Sequence, residues 1–306
     1  MKALIIGVGG QDGSYLVDIL SAKGYEVHGL YRRSSVDNLY RVNRQNVWLH
    51  EGDLTDATSL FRILKEVQPD EIYNVADQDH VGFSHYTPAY SIGVTAGGVA
   101  NLLESMRCVC PAARLFQPCS ATMFGPAAAP QDETTPFSPK SPYAIAKVAA
   151  YHLCQYYREK YDMFISVGIM YNHESPRRGG NYLLQEIVRK CNAAKTDPSV
   201  RLSLSNLHVK VDIGHAHEYM VAANRMLLHH KPDDFCIATG DSFSIRYLAQ
   251  KAVQHANVSE SIVVEVPATQ VPVELTSKCV KARSELGFST RFNAYTMLNN
   301  LFSEMF

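Results

Sequence analysis

Charge is scarce and evenly split: 19% of the 306 residues are charged, with 29 Lys plus Arg against 30 Asp plus Glu, a net charge of -1. Without an excess of one sign, no basic stripe marks a nucleic-acid surface or an anionic-membrane surface, and phosphate recognition has to be local. No apolar run reaches 18 residues, and the opening MKALIIGVGGQDGS carries one lysine before a short apolar stretch that breaks at glycines. The sequence therefore predicts neither a signal peptide nor a membrane span, and a soluble, cytoplasmic protein. Seven scattered cysteines (108, 110, 119, 154, 191, 236 and 279) include no C-x-x-C and no Cys/His quartet with zinc spacing, which reads as free thiols in a reducing compartment. His215 and His217 stand two apart, on different faces of an expected helix, so no metal site is predicted there.

What is present is apolar material in quantity. Hydrophobic residues make up 46% of the chain, enough for one large or two modest domains. Short apolar runs alternate with segments of helical period. Strands are expected at 2–7, 25–31, 47–49, 71–75, 114–119 and 164–170, with helices at 14–23, 59–67, 94–106 and 141–160 between them. Strand and helix repeated in this way predict an α/β, doubly wound (Rossmann) parallel sheet. Beyond residue 172 the pattern changes to a charged loop (HESPRRGG), helices at 182–192 and 214–229, a strand at 201–204, then short strands and two last helices. The expected division is a dinucleotide-binding domain over 1–172, to which 205–238 returns, and a smaller α/β substrate lobe over 173–204 and 239–306. Ligands of open α/β sheets sit at the carboxyl ends of the strands, the edge such a lobe would cap.

Gly7, Gly10 and Gly13, with Gln11 and Asp12 between, directly follow the first strand and open the first helix. Glycine allows a tight turn and close approach of a pyrophosphate to unpaired N–H groups at the positive helix end. After the second strand, where an NAD enzyme usually places an acid for the ribose 2′-hydroxyl, the chain reads Arg32-Arg33-Ser34. Two guanidiniums and a hydroxyl suit a 2′-phosphate, so NADP(H) is the expected cofactor. Asp53 and Leu54 would border the adenine, and Val75 and Ala76 the cofactor's middle.

Tyr143 and Lys147 stand four apart on one helix face. An ammonium beside a phenol stabilises the phenolate, so this spacing predicts an acid/base for a sugar hydroxyl or ketone, with Lys147 also reaching the nicotinamide ribose. Ser120 ends a strand some twenty residues earlier. Together with GQDGSYL at 10–16, YEVHGLYRRSS at 25–35, EGDLTD at 51–56, SPYAIAK at 141–147, YNHESPRRG at 171–179 and IATGDSFSIR at 237–246, these segments make the chain resemble the extended short-chain dehydrogenase/reductases. Within them it is most similar to the GDP-mannose 4,6-dehydratase family. The resemblance implies a 4-keto sugar intermediate: NADP takes the C4 hydride, tyrosine the hydroxyl proton, and a glutamate drives loss of water across C5 and C6. It further implies Ser120 as the group orienting the C4 oxygen, and His80, Asn172, Arg177, Arg178, Asn181, Lys210 and Arg246 as substrate-binding residues.

The departures from that family shape the expected function. Thr122 occupies the position of the eliminating glutamate, and the segment SATMFG looks instead like the corresponding stretch of UDP-galactose 4-epimerases. Two family arginines align with Val211 and Val271, the latter in Val271-Pro272-Val273-Glu274, and a tryptophan aligns with Ile213. The expected activity is therefore NADP(H)-dependent C4 oxidation or 4-keto reduction of a GDP-hexose-type nucleotide sugar. The alternatives are a true GDP-mannose 4,6-dehydratase that draws its acid from Asp77, Asp79 or His80, and a non-catalytic cofactor-binding paralogue. A homodimer or homotetramer is expected, through helices 94–106 and 144–160 and, by the resemblance, a loop at 34–43 reaching a neighbour.

Overall fold

Buried apolar runs dictate the centre of the molecule. In the computed structural model, which describes residues 1–268 and 273–305, six strands fall where those runs predict them: β1 Lys2–Ile6, β2 Glu26–Tyr31, β3 Trp48–Glu51, β4 Glu71–Asn74, β5 Arg114–Ser120 and β6 Ile165–Met170. With Asp234–Ile237 they form one seven-stranded parallel sheet. Its order is Asp234–Ile237, β6, β5, β4, β1, β2, β3. Ala3–Ile6 and the whole of β6 are buried because helices cover both faces, which is why these strands read as continuous apolar runs. The strand order reverses between β1 and β4, so the crevice at a doubly wound sheet's switch point opens above their carboxyl ends.

The helices begin where local chemistry satisfies their free N–H groups. Asp56 accepts from the Thr58 amide at 3.0 Å and starts Ala57–Val67, whose Leu60, Ile63 and Leu64 are fully buried. Ser141 accepts from the Ala144 amide at 3.1 Å, and Pro142 supplies the first helical position of the long helix Pro142–Tyr161. The helix Gln11–Ala22 begins at Gln11, three residues earlier than apolar spacing alone predicts, and no side chain caps it at Gly10.

Two hydrophobic cores result. The larger surrounds the sheet; the smaller joins helices Leu183–Ala193, Ile245–Ala256 and Ala294–Met305 with Leu202, Leu204, Leu207 and Ile213. The helix Val280–Leu286, assigned by sequence to the lobe, packs its Ala282 and Leu286 on the first core beside Asp234–Ile237. Leu207 and Ile213, assigned to the first domain, join the second. The expected helix over 214–229 begins only at Ala216. Ile213–His215 is instead a short strand, parallel to Asn172–Glu174. His215 caps the helix by accepting from the His217 amide at 3.0 Å, so the two rings are neighbours 6.4 Å apart rather than on opposite faces. The helix expected at 94–106 is the end of a longer rod: Pro88–Ile92, a π-turn at Gly93–Gly97, then Gly98–Val109.

No helix among the described residues is long and apolar enough to cross a membrane.

Candidate active site

One cleft of about 730 Å³ lies along the carboxyl edge of the sheet. Gly7 opens it with φ +88°, a left-handed conformation that favours glycine. A Cβ at Gly13 would lie 2.5 Å from the Gly7 carbonyl oxygen, so only glycine lets the first helix pack this closely on β1. Gly10 then presents a helix start with free backbone N–H groups, a seat for a pyrophosphate. Gly7, Gly10, Gln11, Asp12, Arg32, Asp53, Leu54, Val75, Ala76, His80, Ser120, Thr122, Tyr143, Lys147 and Asn172 all line this cleft.

At its floor, the first turns of Pro142–Tyr161 bring Tyr143 and Lys147 against the end of β5. Lys147 Nζ donates to the Pro118 carbonyl at 2.9 Å and lies 2.6 Å from Asp77 Oδ2, and both side chains are almost fully buried. Burial opposes the lysine's charge, but Asp77, joined by Tyr143 and Cys119, outweighs it and the pKa of Lys147 is raised. Ser120 starts the short 3-10 turn Ala121–Phe124 and accepts from the Thr122 amide at 3.2 Å and the Thr122 hydroxyl at 2.9 Å. Thr122 thus points its oxygen at Ser120 and brings no carboxylate to that position. The phenol of Tyr143 is pushed up to about 12, first by burial and then by Asp77 and Asp79, while Lys147 and Ser120 pull it down. The sequence anticipates only the lysine's effect. The net direction is the reverse, because burial and two carboxylates face the same phenol.

Several expected ligands lie elsewhere. Arg33 and Ser34 are exposed, outside the cleft lining. Arg177 turns to Asp18 at 2.6 Å and Ser14 at 3.2 Å, its guanidinium over the Tyr15 ring. Arg246 pairs with Glu265 at 3.0 Å on the lobe surface, Lys210 is exposed on a two-residue strand beside Ser244, and Asn181 is exposed before Leu183–Ala193. Ile213 lines the cleft, and Val211 lies half-buried against the lobe core. Val271 and Pro272 lie outside the described residues.

The lobe contributes contacts that no local pattern announces. Arg178 stacks over Tyr182 at 3.6 Å and pairs with Asp79 at 3.0 Å, and the Tyr182 hydroxyl donates to the same carboxylate at 2.9 Å. Arg178 Nε is buried with no partner among the described residues, a donor available to a ligand. Ser175 donates to Gln11 Oε1 at 2.8 Å and His173 Nε2 meets Asp12 at 3.0 Å, fastening the lobe to the glycine turn. Glu174 accepts from the Leu184 and Gln185 amides, each at 3.2 Å, and so caps the lobe's first helix from ten residues away. Arg41 reaches the Arg177 carbonyl at 2.6 Å and borders the cleft, and Tyr90 receives a hydrogen bond from Arg32 at 3.2 Å.

A family profile described as GDP-mannose 4,6 dehydratase matches residues 4–301. The chain is 42% identical over 270 residues to a GDP-mannose 4,6-dehydratase of Vibrio cholerae, covering 84% of this chain and 73% of that one. It belongs to the GDP-mannose 4,6-dehydratase family. Among solved structures, a dTDP-glucose 4,6-dehydratase from Bacillus anthracis in complex with NAD superposes with a TM-score of 0.86 at 18% identity, covering 99% and 96% of the two chains. RMD from Pseudomonas aeruginosa, complexed with NADPH, gives 0.83 at 20% identity over 99% and 98%. At these identities the likeness is one of fold. It agrees with the GDP-mannose 4,6-dehydratase family's membership in the extended short-chain dehydrogenase/reductases.

Proposed function

We propose that the chain is a nicotinamide-dependent enzyme acting on a GDP-hexose of the mannose type, and that it carries out 4,6-dehydration through a 4-keto sugar. The observation that carries this reading is the meeting of Tyr143, Lys147 and Ser120 at the floor of a cleft whose far end is the uncapped helix start at Gly10. Whole-length similarity to the dehydratases supports the substrate class. When bound, the nicotinamide supplies an acceptor for the C4 hydride and returns it at C6, so the sugar loses only water. Tyr143 exchanges the C4 hydroxyl proton, Ser120 orients that oxygen, and Lys147 governs the phenol. Of the three groups open to the elimination, Asp77 is committed to Lys147 and His80 caps a turn by accepting from the Phe83 amide at 3.0 Å. Asp79, gripped by Arg178 and Tyr182, is the carboxylate we assign to it.

Thr122 favours a second reading, C4 oxidation or reduction alone, since a hydroxyl cannot replace the acid/base carboxylate at that position. Incubation with GDP-mannose and a nicotinamide dinucleotide separates the two. A product one water lighter, with no net change in nicotinamide absorbance, supports dehydration. An absorbance change without water loss supports C4 redox alone. Binding without turnover points to a cofactor-binding paralogue and overturns both. NADP over NAD is part of the proposal: no acid directly follows β2, and Arg32, the residue after it, lines the cleft. A lower KM for NADP than for NAD, narrowed by Arg32→Ala, checks it. A homodimer or homotetramer belongs to the same reading: Ile145, Tyr156 and Tyr161 leave apolar surface exposed on the long helix, and sedimentation measures the state.

A further inference from the structure

Asp77 follows β4 three residues past its end and turns its carboxylate into the cleft floor. One oxygen accepts from the hydroxyl of Thr95, which the π-turn Gly93–Gly97 brings to this point. The other lies 2.6 Å from Lys147 Nζ with no aligned hydrogen-bond donor among the described residues, so the contact is charge against charge. The lysine's aligned bond goes instead to Pro118. The ammonium that would acidify Tyr143 therefore shares its field with a carboxylate at contact distance, and from the phenol the pair looks like a dipole rather than a cation.

We propose that Asp77 is a positioning residue that fixes and neutralises Lys147, so that the ammonium lends less of its charge to the Tyr143 phenol. The proposal rests on the sugar chemistry assigned above and deepens it: Asp77 sets an alkaline requirement on the step in which the C4 hydroxyl loses its proton to Tyr143. The titratable and charged groups that bear on Tyr143 are Lys147 on its own helix, Asp77 and Asp79 after β4, and Tyr182 from the lobe, itself held by Arg178. The Cys119 thiol on β5, pushed up to about 12 by burial, stays neutral. Of these, Asp77 is the carboxylate paired with the lysine.

The test uses the whole protein carrying ring-labelled tyrosine, with Tyr143 assigned by the signal missing from Tyr143→Phe. The Tyr143–Lys147 pair titrates as a unit, so its first proton loss is the quantity read. Asp77→Asn, which keeps the shape and the Thr95 contact, is expected to bring that loss down by about 1–3 pH units. Asp77→Glu is expected to restore part of the original position, and the pH profile of sugar oxidation to move in parallel with the titration. An unchanged titration in Asp77→Asn, with an intact melting transition, overturns the proposal. A shifted titration in a protein that turns over no nucleotide sugar would sustain it while defeating the assigned function. Should Asp77→Asn fail to fold, Thr95→Val, which removes only the hydroxyl that holds Asp77, is read instead; an unchanged titration there overturns the proposal equally.

Discussion

Along the sheet edge, the groups at the cleft floor hang on strand ends or opening helical turns: Gly7 after β1, Ala76 after β4, Ser120 at the end of β5, Tyr143 and Lys147 in the opening turns of a twenty-residue helix. Across from them, the lobe's Arg178 and Tyr182 come from the loop between a three-residue strand and a helix, and are held by one another and by Asp79. The first wall is placed by backbone hydrogen bonds and by close contacts only glycine permits. The second is placed by side-chain pairs between segments a hundred residues apart. On the function proposed above, chemistry that must not move falls to the sheet, and recognition that must vary falls to the lobe.

If that contrast is correct, the largest loss comes from the sheet side. Tyr143→Phe is expected to lower kcat by about 10²–10⁴-fold, the usual cost of one positioned acid/base, while dinucleotide affinity measured by fluorescence titration stays unchanged. Equal loss of both would mean that Tyr143 serves the fold rather than the chemistry. Next in size is Gly13→Val. Its side chain would meet the Gly7 carbonyl and Val8, and overpacking of this kind costs about 1–3 kcal/mol. A lowered melting temperature together with lost dinucleotide binding checks it, and an undisturbed variant would show that the glycine turn is looser than its contacts imply.

The same contrast explains what could be read from the sequence. The strands, the glycine turn and the Tyr143–Lys147 pair were legible because each depends on local period or spacing: apolar runs for buried strands, three glycines after the first, four residues between phenol and amine. Arg178–Asp79–Tyr182 was not, because nothing local links residue 79 to 182. Glu174 capping Leu183–Ala193 is hidden for the same reason, as is Asp77 against Lys147. Charge and motif pointed to Arg177, Lys210 and Arg246 as ligands but could not show where their side chains rest. A guanidinium in a conspicuous motif looks like a ligand until an acidic partner claims it, as Asp18 claims Arg177 and Glu265 claims Arg246. The phenol's acidity failed in a related way: spacing shows the lysine but neither the burial nor the carboxylates.

The seam between the two walls is sensitive to pH. Burial raises Asp12, but His173, helped by Arg178 and Gln11, more than offsets it and the acid is lowered; burial lowers His173, but Asp12, helped by the Tyr171 carbonyl, more than offsets it and the base is raised. The lowered acid contributes stability that is present above the ordinary carboxylate value of 3.8 and lost as pH falls through its folded pKa. The raised histidine contributes stability that is complete below 6.5 and lost as pH rises through its folded pKa. The pair thus holds lobe to glycine turn best between those values. Melting temperature should decline more steeply above pH 6.5 in the parent chain than in His173→Gln. Parallel pH curves would show that the contact adds nothing to the joint.

The smallest effect is expected at Arg246, and it sharpens the comparison by being small. Its guanidinium reaches Glu265 at 3.0 Å, but both side chains are about half exposed, and exposed ion pairs of this kind contribute about 0–1 kcal/mol. The pair lies outside the cleft lining, on the lobe's own surface. Arg246→Ala should therefore leave the melting temperature nearly unchanged and the KM for the nucleotide sugar within about twofold, which corresponds to less than about 0.5 kcal/mol. A tenfold rise in KM with kcat preserved would mean that Arg246 leaves Glu265 for the substrate. The lobe would then rearrange around its ligand while the sheet edge stays still, a larger difference between the two walls than their resting contacts express.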